Sequence, residues 1–491
     1  MTVLLLANVG NRDVRLTDHR LLPEREDPSW WNSVRRLGDE LGANLDRYAD
    51  AIELPLLHPT LDWLLTERNI APNDIQVVLF ASDQPYRLTL ERDWLKDTSP
   101  FAQVIRELLE RKYKITKRFI KTIEGSPADY ANMLAFYMRT LPQIAAKVPP
   151  DSEVFLEVSG GTPAMSSMLI VAGVEVFGEQ VHTLYLEQDA RHPSEIGVAQ
   201  QLFARKSRET LLGQIELYAY NAALQTVERY GGLIAPGNHK RELLACLLRY
   251  ADRRLAFDFR RARTALHGAL GLSTGNMQAQ VRYWLRELES PDTAKNLSEV
   301  IHSAAIKLHL GDYADFTQRI FRFQEGAFRY LAEQMGMRYG KSDEFLDESW
   351  RKSLPHLDHF LNHYRRGHNG QMLAETDNDI LVSTTRSLNR FNLGAIVEYF
   401  VQHDPAWDNQ RATVEKLFTL SRVADLRNKG LAGHGFDGIG LEDLEEAYAG
   451  SAESLLEQLR TIYTGIFGKP PSEDPYQAIN ALLVEIIEAS S

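Results

Sequence analysis

Two observations predict an α/β N-terminal domain followed by an all-helical C-terminal region. Strand-like and helix-like segments alternate over residues 1–190, and strand patterns stop after about Gln200. Segments rich in β-branched and aromatic residues indicate strands at Thr2–Ala7, Ile75–Ser82, Lys114–Lys121, Ser152–Ser159 and Val181–Gln188. Helical stretches lie between them, at Ser33–Tyr48, Pro100–Lys112, Asp129–Lys147 and Pro163–Phe177. This alternation predicts a largely parallel sheet covered by helices on both faces.

The region after Ser207 carries apolar residues at helical spacing almost to its end. Leu211, Ile215 and Tyr218 form one such series. A chain of 491 residues is long enough for two to four domains. We therefore expect an α/β domain over residues 1–200, a helical linker domain over 201–295 and a second helical domain over 296–491.

Composition excludes several classes of protein. With 44% hydrophobic and 25% charged residues, the chain is neither disordered nor collagen-like. Its apolar runs fall short of the roughly 18–20 residues that cross a bilayer. Cys246 is the single cysteine, so no intrachain disulfide framework or cysteine-rich zinc site is expected. These features predict a cytoplasmic protein, and the net charge of −12 argues against one that coats nucleic acid by bulk attraction.

Two glycine-containing loops follow predicted strands of the N-terminal domain. One is NVGNRD, from Asn8 to Asp13, and the other is SGGTP, from Ser159 to Pro163. In the second loop, paired glycines permit close backbone approach, and Thr162 is placed to cap a helix with Pro163 in its first turn. Because free N–H groups at a helix N-terminus attract anions, the loops predict an anion site, to which Arg12 adds a charged contact. Simple tight turns are the structural alternative.

The C-terminal region contains RNKGLAGHG, from Arg427 to Gly435. An imidazole can move the proton of a ribose 2′-OH or of a leaving 5′-oxygen at neutral pH. A guanidinium can hold the scissile phosphate and offset the charge of the transition state. The polar neighbour Asn428 can orient either group. The set suits RNA cleavage without a metal, although Arg and His also meet this spacing by chance.

Taken together, these residues resemble the CARF–HEPN ribonucleases of type III CRISPR systems. VLLLANVGNRD, from Val3 to Asp13, is similar to the first ligand loop of that family, and EVSGGTPAM, from Glu157 to Met165, is similar to the second. LRNKGLAGHG, from Leu426 to Gly435, matches the HEPN pattern of Arg, a polar residue, four or five further residues and His. The resemblance covers essentially the whole chain in this order.

The resemblance implies a Rossmann-like CARF domain that binds a cyclic oligoadenylate, and an all-α HEPN domain that cleaves single-stranded RNA in antiviral defence. It implies a homodimer without a metal or other cofactor, in which Arg427 and His434 are catalytic and Asn428 supports them. The implied ligand-binding residues are Asn8, Gly10, Asn11, Arg12, Ser159, Gly160, Gly161 and Thr162. The compact CARF portion favours a tetra-adenylate ring over a hexa-adenylate ring.

The resemblance also raises slow cleavage of the activator in the CARF pocket, a ring nuclease activity found in some relatives. Thr162, Asn8 and Asn11 are the candidates for this second activity. One departure weakens the expectation, because Pro163 stands where many relatives carry Lys.

The segment His239–Ser290 supports a different function. It carries ten Lys and Arg against five Asp and Glu, and part of it resembles a helix-turn-helix. The alternative is therefore a CARF-type transcription regulator that binds DNA in response to a ligand. A linker domain whose arginines pair with nearby acids explains the same charge.

Four histidines cluster at His356, His359, His363 and His368. His359 and His363 have the i,i+4 spacing of helical metal ligands, but no HExxH motif accompanies them. A solvated or dimer-facing helix is therefore preferred to a zinc site.

Overall fold

The computed structural model describes residues 2–27, 29–86, 89–149, 152–187, 190–289, 292–340, 345–367, 369–372, 388–429 and 438–489. The chain forms two compact units. One contains residues 1–211 and 226–238, and the other contains residues 212–225 and 239–489. The finer division of the helical part at about residue 295 remains a prediction.

The N-terminal unit is built on one sheet and a small hairpin. The strands are β1 (Val3–Asn8), β2 (Arg15–Leu16), β3 (Ile52–Glu53), β4 (Ile75–Ser82), β5 (Lys117–Ile123), β6 (Glu153–Glu157), β7 (Val181–Tyr185) and β8 (Ser194–Glu195). The sheet has the order β5-β4-β1-β6-β7-β8, while β2 and β3 pair separately. Neighbours from β5 to β7 run parallel, and β8 runs antiparallel to β7. The predicted parallel sheet is confirmed.

Helices cover both faces of this sheet, as predicted. They are α1 (Val34–Ala43), α2 (Leu45–Tyr48), α3 (Leu57–Asp62), α4 (Glu91–Trp94), α5 (Ser99–Tyr113), α6 (Tyr130–Ala145) and α7 (Pro163–Phe177). On β1, Val3 and Leu5 join the core beneath α1, α3 and α5. Leu4 and Leu6 join the opposite core, beneath α6 and α7. Because successive side chains of a strand point to opposite faces, a strand buried on both faces is apolar throughout.

The remainder of the described chain is helical apart from isolated bridges. Its helices are α8 (Val198–Glu216), α9 (Tyr220–Ile234), α10 (Asn238–Leu255), α11 (Phe259–Leu272), α12 (Gly275–Glu289), α13 (Thr293–His309), α14 (Tyr313–Gln334), α15 (Glu348–Ser353), α16 (Leu357–Asn362), α17 (Arg390–His403), α18 (Arg411–Thr419), α19 (Ser421–Lys429), α20 (Leu441–Tyr448), α21 (Ala452–Phe467) and α22 (Pro475–Glu488). α14 supplies buried Phe316, Ile320 and Phe323 to a core that α13, α17 and α21 share. The predicted all-helical C-terminal region is confirmed.

The basic segment His239–Ser290 corresponds to α10, α11 and α12. α11 and α12 pack on each other across a two-residue break. Arg254 is buried and forms an ion pair with Glu299, whereas Arg282 and Arg286 on α12 are exposed. Part of the positive charge is therefore internal, and DNA binding by this segment stays a prediction.

Within the described residues, none of the helices has the length and apolar character needed to cross a membrane.

Candidate functional site

The two glycine-containing loops leave the sheet side by side. β1 and β6 are parallel neighbours, with Ala7 paired to Glu157 near their carboxyl ends. The chain therefore enters both loops at the same edge of the sheet, where ligands of parallel α/β sheets bind. This arrangement agrees with the position predicted for the anion site.

The glycines of the loops allow their backbones to touch. A Cβ atom on Gly10 would lie 2.6 Å from the backbone nitrogen of Gly161, which itself has a φ of +82°. A Cβ atom on Gly160 would lie 2.5 Å from the carbonyl oxygen of Asn8. Real Cβ atoms do not make such contacts, so the loop-to-loop contact by itself requires glycine. Tight packing, the structural alternative, thus accounts for these glycines whether or not a ligand binds.

Two buried carboxyl groups accept hydrogen bonds from the loops. The Gly10 N–H donates to Oδ2 of Asp13 at 2.6 Å, and the Ser159 N–H donates to Oε1 of Glu157 at 3.0 Å. The exposed fraction is 2% for Asp13 and 0% for Glu157. Some of the N–H groups expected to hold an anionic ligand are therefore already bonded to acidic side chains.

Burial raises the pKa of Glu157 to about 7. Burial also raises the pKa of Asp13 well above its ordinary value, and the nearby Glu157 raises it further. Like charges in a site of low dielectric disfavour full ionisation. This pair was not predicted from the sequence, although Glu157 stands in the apolar strand run VFLEV, where a side chain on either face is buried.

The hydroxyl groups of Thr162 and Ser159 form hydrogen bonds with backbone groups. Thr162 caps α7, accepting a hydrogen bond from the Met165 N–H at 3.2 Å, and Pro163 occupies the first turn as predicted. The Thr162 hydroxyl also donates to the carbonyl oxygen of Pro127. The Ser159 hydroxyl accepts from the Leu186 N–H at 2.7 Å. Both groups therefore hold the loops in place.

Asn8 is the last residue of β1, and its side chain is buried rather than exposed at the surface of the loops. Its Oδ1 accepts a hydrogen bond from the Tyr137 hydroxyl at 2.7 Å, and the residue is buried. Its Nδ2 has no hydrogen-bond partner among the described residues. Asn8 is thus placed to support the first loop from beneath.

Asn11, Arg12 and Ser159 line a cleft of about 1030 Å³ beside the loops. Other polar groups on its walls have partners: Arg15 pairs with Glu53, and the Lys112 ammonium donates to the Ile52 carbonyl oxygen at 2.9 Å. Arg12 is exposed. The cleft is large enough for a nucleotide-sized ligand, and Arg12 is suited to hold a phosphate in it.

The His58 ring and the Tyr113 hydroxyl form a further pair on the wall of this cleft, with Nδ1 2.9 Å from the hydroxyl oxygen. Burial raises the pKa of Tyr113 to about 12, and Asp62 contributes in the same direction. The phenol is therefore neutral at physiological pH. This pair was not predicted from the sequence, since His58 and Tyr113 are distant from each other along the chain.

Arg427 lies near the end of α19, which packs against α14. Its guanidinium carbon is 4.2 Å from the centroid of the Phe321 ring on α14. The Arg390 guanidinium approaches the same ring at 5.5 Å and donates to Oδ1 of Asp425 at 2.5 Å. Phe321 thus contacts two guanidinium groups, one at the start of α17 and one near the end of α19, and Asp425 pairs with the first of them.

Arg390 is the buried member of this arginine pair. It donates to Oε1 of Gln324 at 2.8 Å, and burial lowers its pKa. Arg390 was not predicted as a site residue, because its partners Gln324 and Asp425 are distant in sequence. Of the other two predicted catalytic residues, Asn428 belongs to α19 but its side chain lies outside the described part, and His434 lies outside the described residues.

The histidine cluster shows no metal-binding geometry among the residues that can be described. The rings of His359 and His363 lie 4.2 Å apart, and His363 Nδ1 is 2.8 Å from the His359 carbonyl oxygen. No group of three His, Cys, Asp or Glu suited to a metal occurs in the described part of the chain. His368 is outside that part.

The chain thus contains an α/β unit with a mostly parallel sheet and a unit built of helices. A solved structure with this arrangement is that of Csm6 from Enterococcus italicus, described as bound to cyclic hexa-2′-fluoro-hexa-dAMP. The match has a TM-score of 0.60 at 14% identity and covers 99% of this chain and 100% of that chain. No model of a known family and no curated protein matches the sequence. The resemblance to CARF–HEPN proteins is thereby confirmed for the fold.

Proposed function

We propose that the protein is an RNA endoribonuclease that a cyclic oligoadenylate activates in type III CRISPR defence. The observation that carries the proposal is the fold shared with a cyclic-oligoadenylate-bound Csm6 over essentially both chains. Arg12 in the cleft beside the loops and Arg427 over Phe321 add support, since each is a guanidinium suited to contact a phosphate.

The activator is proposed to bind at the edge formed by the two loops. Asn11, Arg12 and Ser159 line the adjoining cleft, and Arg12 is exposed for contact with phosphate. Gly10, Gly160, Gly161 and Thr162 shape the loops, and Asn8 supports them. The compact domain favours a ring of four adenylates, whereas the similar Csm6 is bound to a cyclic ligand of six nucleotides. Both rings therefore belong in the assay.

The proposed cleavage uses the chain's own side chains. His434 takes the proton of the ribose 2′-OH or gives one to the leaving 5′-oxygen. Arg427 holds the scissile phosphate, and its position over Phe321 limits the directions in which the guanidinium points. Asn428 orients one of these groups. A homodimer supplies the set twice, so that a two-fold axis passes through one composite site.

Activation follows if the ring binds one dimer arrangement more tightly than another. The ring then shifts the population towards the arrangement in which the two catalytic sets meet. This requires differential affinity of the ring for the two arrangements and no covalent change in the protein.

Ring nuclease activity has weaker support than RNA cleavage. The Thr162 hydroxyl already donates to Pro127 and accepts from Met165, so it would have to leave both partners to assist a reaction. The proposal therefore assigns RNA cleavage to the protein and gives Thr162 a positioning role in the loop.

The experiment combines purified protein, a fluorescent single-stranded RNA, EDTA and the His434→Ala variant. Cleavage by the wild type is expected to persist in EDTA, because the proposed chemistry uses an imidazole and a guanidinium. The variant is expected to lose it. Full activity in His434→Ala would contradict the catalytic assignment, and ligand-dependent binding of duplex DNA without RNA cleavage would favour the transcription regulator.

A further inference from the structure

The loops of the proposed activator site are held by acids and not only by each other. Gly10 donates its N–H to Asp13 at 2.6 Å, and Ser159 donates its N–H to Glu157 at 3.0 Å. The Gly160 N–H also bonds to Glu157. A Cβ atom on Gly160 would lie 2.7 Å from Oδ2 of Asp13, so this carboxyl touches both loops. Each loop therefore packs on a carboxyl group at the edge where an anionic ring would bind.

The surroundings of the two carboxyls leave them little compensation for negative charge. In the sheet, Glu157 has Ala7 on β1 and Leu184 on β7 as register partners, and neither is polar. The Oε2 atom of Glu157 has no hydrogen-bond partner among the described residues. The charged groups that act on Asp13 are Glu157, which opposes ionisation, and Arg12, which favours it. Arg12 is exposed and is itself placed to contact ligand phosphate.

Resting on the proposed function, we propose that Asp13 and Glu157 form a buried carboxyl pair that positions both ligand loops and takes up a proton when the anionic ring binds. The pair belongs to the loop edge and acts on the ligand through the loop backbone. Its members are therefore positioning residues.

The direction of the effect follows from electrostatics. A phosphate anion near the loops raises the free energy of an ionised carboxylate, and it draws Arg12 away from Asp13. A protonated carboxyl loses the charge but keeps a carbonyl oxygen that accepts hydrogen bonds from the loop N–H groups. Since the pKa of Glu157 is about 7 in the free protein, about half of the Glu157 carboxyl groups are ionised at pH 7. These ionised carboxylates can take up a proton on binding. Binding and protonation then favour each other.

The experiment is calorimetric titration of the full chain with cyclic tetra-adenylate and cyclic hexa-adenylate. Each titration is run at pH 7.5 in two buffers of different ionisation enthalpy, so that the difference in heat gives the number of protons exchanged. Wild-type protein is expected to take up about half a proton or more per bound ring on each loop edge. Its affinity is expected to fall by up to about tenfold per edge from pH 7 to pH 8, the limit for uptake of one proton.

Glu157→Gln is the main variant, because the amide oxygen still accepts hydrogen bonds from the loop N–H groups while the titrating carboxyl is lost. It is expected to bind the ring with little proton uptake and with an affinity that changes little between pH 7 and pH 8. Asp13→Asn is the second variant and is expected to change uptake in the same direction. Glu153→Gln, at the other end of β6 and paired with Arg68, is the matched control. His58→Gln controls for the imidazole on the wall of the cleft.

Ring binding without proton uptake by the wild type would overturn the carboxyl-pair proposal and leave the proposed function standing. Uptake that persists in both Glu157→Gln and Asp13→Asn, or is lost in His58→Gln alone, would also overturn it. Absence of binding by either ring would contradict the proposed function, and the carboxyl-pair proposal with it.

Discussion

The guanidinium carbon of Arg427 lies 4.2 Å from the centroid of the Phe321 ring. The two residues stand on α19 and α14, which pack together in the helical unit. An aromatic face attracts a cation and also restricts where its planar guanidinium points. Phe321 therefore fixes the orientation of the side chain proposed to hold the scissile phosphate.

Phe321→Leu is expected to lower kcat/KM for RNA cleavage by about 2- to 30-fold, since a cation–π contact contributes about 0.5–2 kcal/mol. The measurement is cleavage of a fluorescent RNA at saturating activator. Phe321→Tyr keeps an aromatic face and should stay near the wild type. Arg422→Ala removes an exposed arginine from α19, the helix that carries Arg427, and should not change kcat/KM. Wild-type kcat/KM in Phe321→Leu would show that the ring does not orient Arg427.

Gly160→Ala is expected to weaken binding of the cyclic oligoadenylate by at least about tenfold. The added methyl group would lie 2.5 Å from the Asn8 carbonyl oxygen and 2.7 Å from Oδ2 of Asp13, so the two loops must separate. Calorimetric titration measures the affinity. Gly213→Ala, whose methyl group would meet nothing within 4 Å, is the control. Unchanged affinity in Gly160→Ala would mean that the loop contact does not shape the ligand site.

Glu157→Gln is expected to raise the thermal unfolding midpoint more at pH 8 than at pH 5. The native pKa of about 7 lies above the usual value for Glu, so the native state binds this proton more tightly than the unfolded state. The free energy of unfolding therefore falls as the pH rises from about 4 to above 7, by about 3.5 kcal/mol at most. At pH 5 the native carboxyl is mostly protonated and Gln removes little charge. Melting curves of Glu157→Gln and of the control Glu153→Gln, each against the wild type, test this. An equal gain for Glu157→Gln at both pH values would place its effect elsewhere.

Glu398→Ala is expected to destabilise the helical unit by about 3 kcal/mol, because the buried Arg366 guanidinium loses its buried partner and keeps only the largely exposed Glu415. Arg366 donates to both carboxylate oxygens of Glu398 at 2.8 Å, and the Tyr364 hydroxyl donates to Oε2 at 2.7 Å. Thermal unfolding measures the change. Glu457→Ala breaks the exposed pair with Arg460 and should hardly shift the midpoint. Similar shifts for the two variants would refute a special contribution from burial.

Hydrophobic periodicity predicted most of the fold. The strand patterns at Ile75–Ser82 and Val181–Gln188 and the helix pattern at Pro163–Phe177 correspond to β4, β7 and α7 in the structure. The strands β2, β3 and β8 were not predicted. Each has only two residues, which is too short to show the alternation of apolar and polar side chains that indicates a strand. The predicted strand at Lys114–Lys121 begins three residues late, at Lys117, because Lys114 has a left-handed conformation that ends α5.

The candidate site was predicted only where chemistry follows from neighbours in sequence. The cap formed by Thr162 and the turn formed by its glycines are local, and both are confirmed. The burial of Asp13 and the meeting of Arg390 with Asp425 depend on contacts between distant segments. Sequence spacing does not predict contacts between distant segments. The roles of Asp13, Arg390 and Asp425 therefore become visible only in the folded chain.

Activation of the ribonuclease by a cyclic oligoadenylate is tested most directly by RNA cleavage with a panel of rings of three to six units. We expect cleavage of single-stranded RNA to rise sharply with one ring size, to stay low without a ring, and to be lost in Arg427→Ala. That variant should still bind the same ring, since Arg427 belongs to the helical unit and the loops belong to the other. Cleavage that ignores every ring, or that survives in Arg427→Ala, would contradict the account.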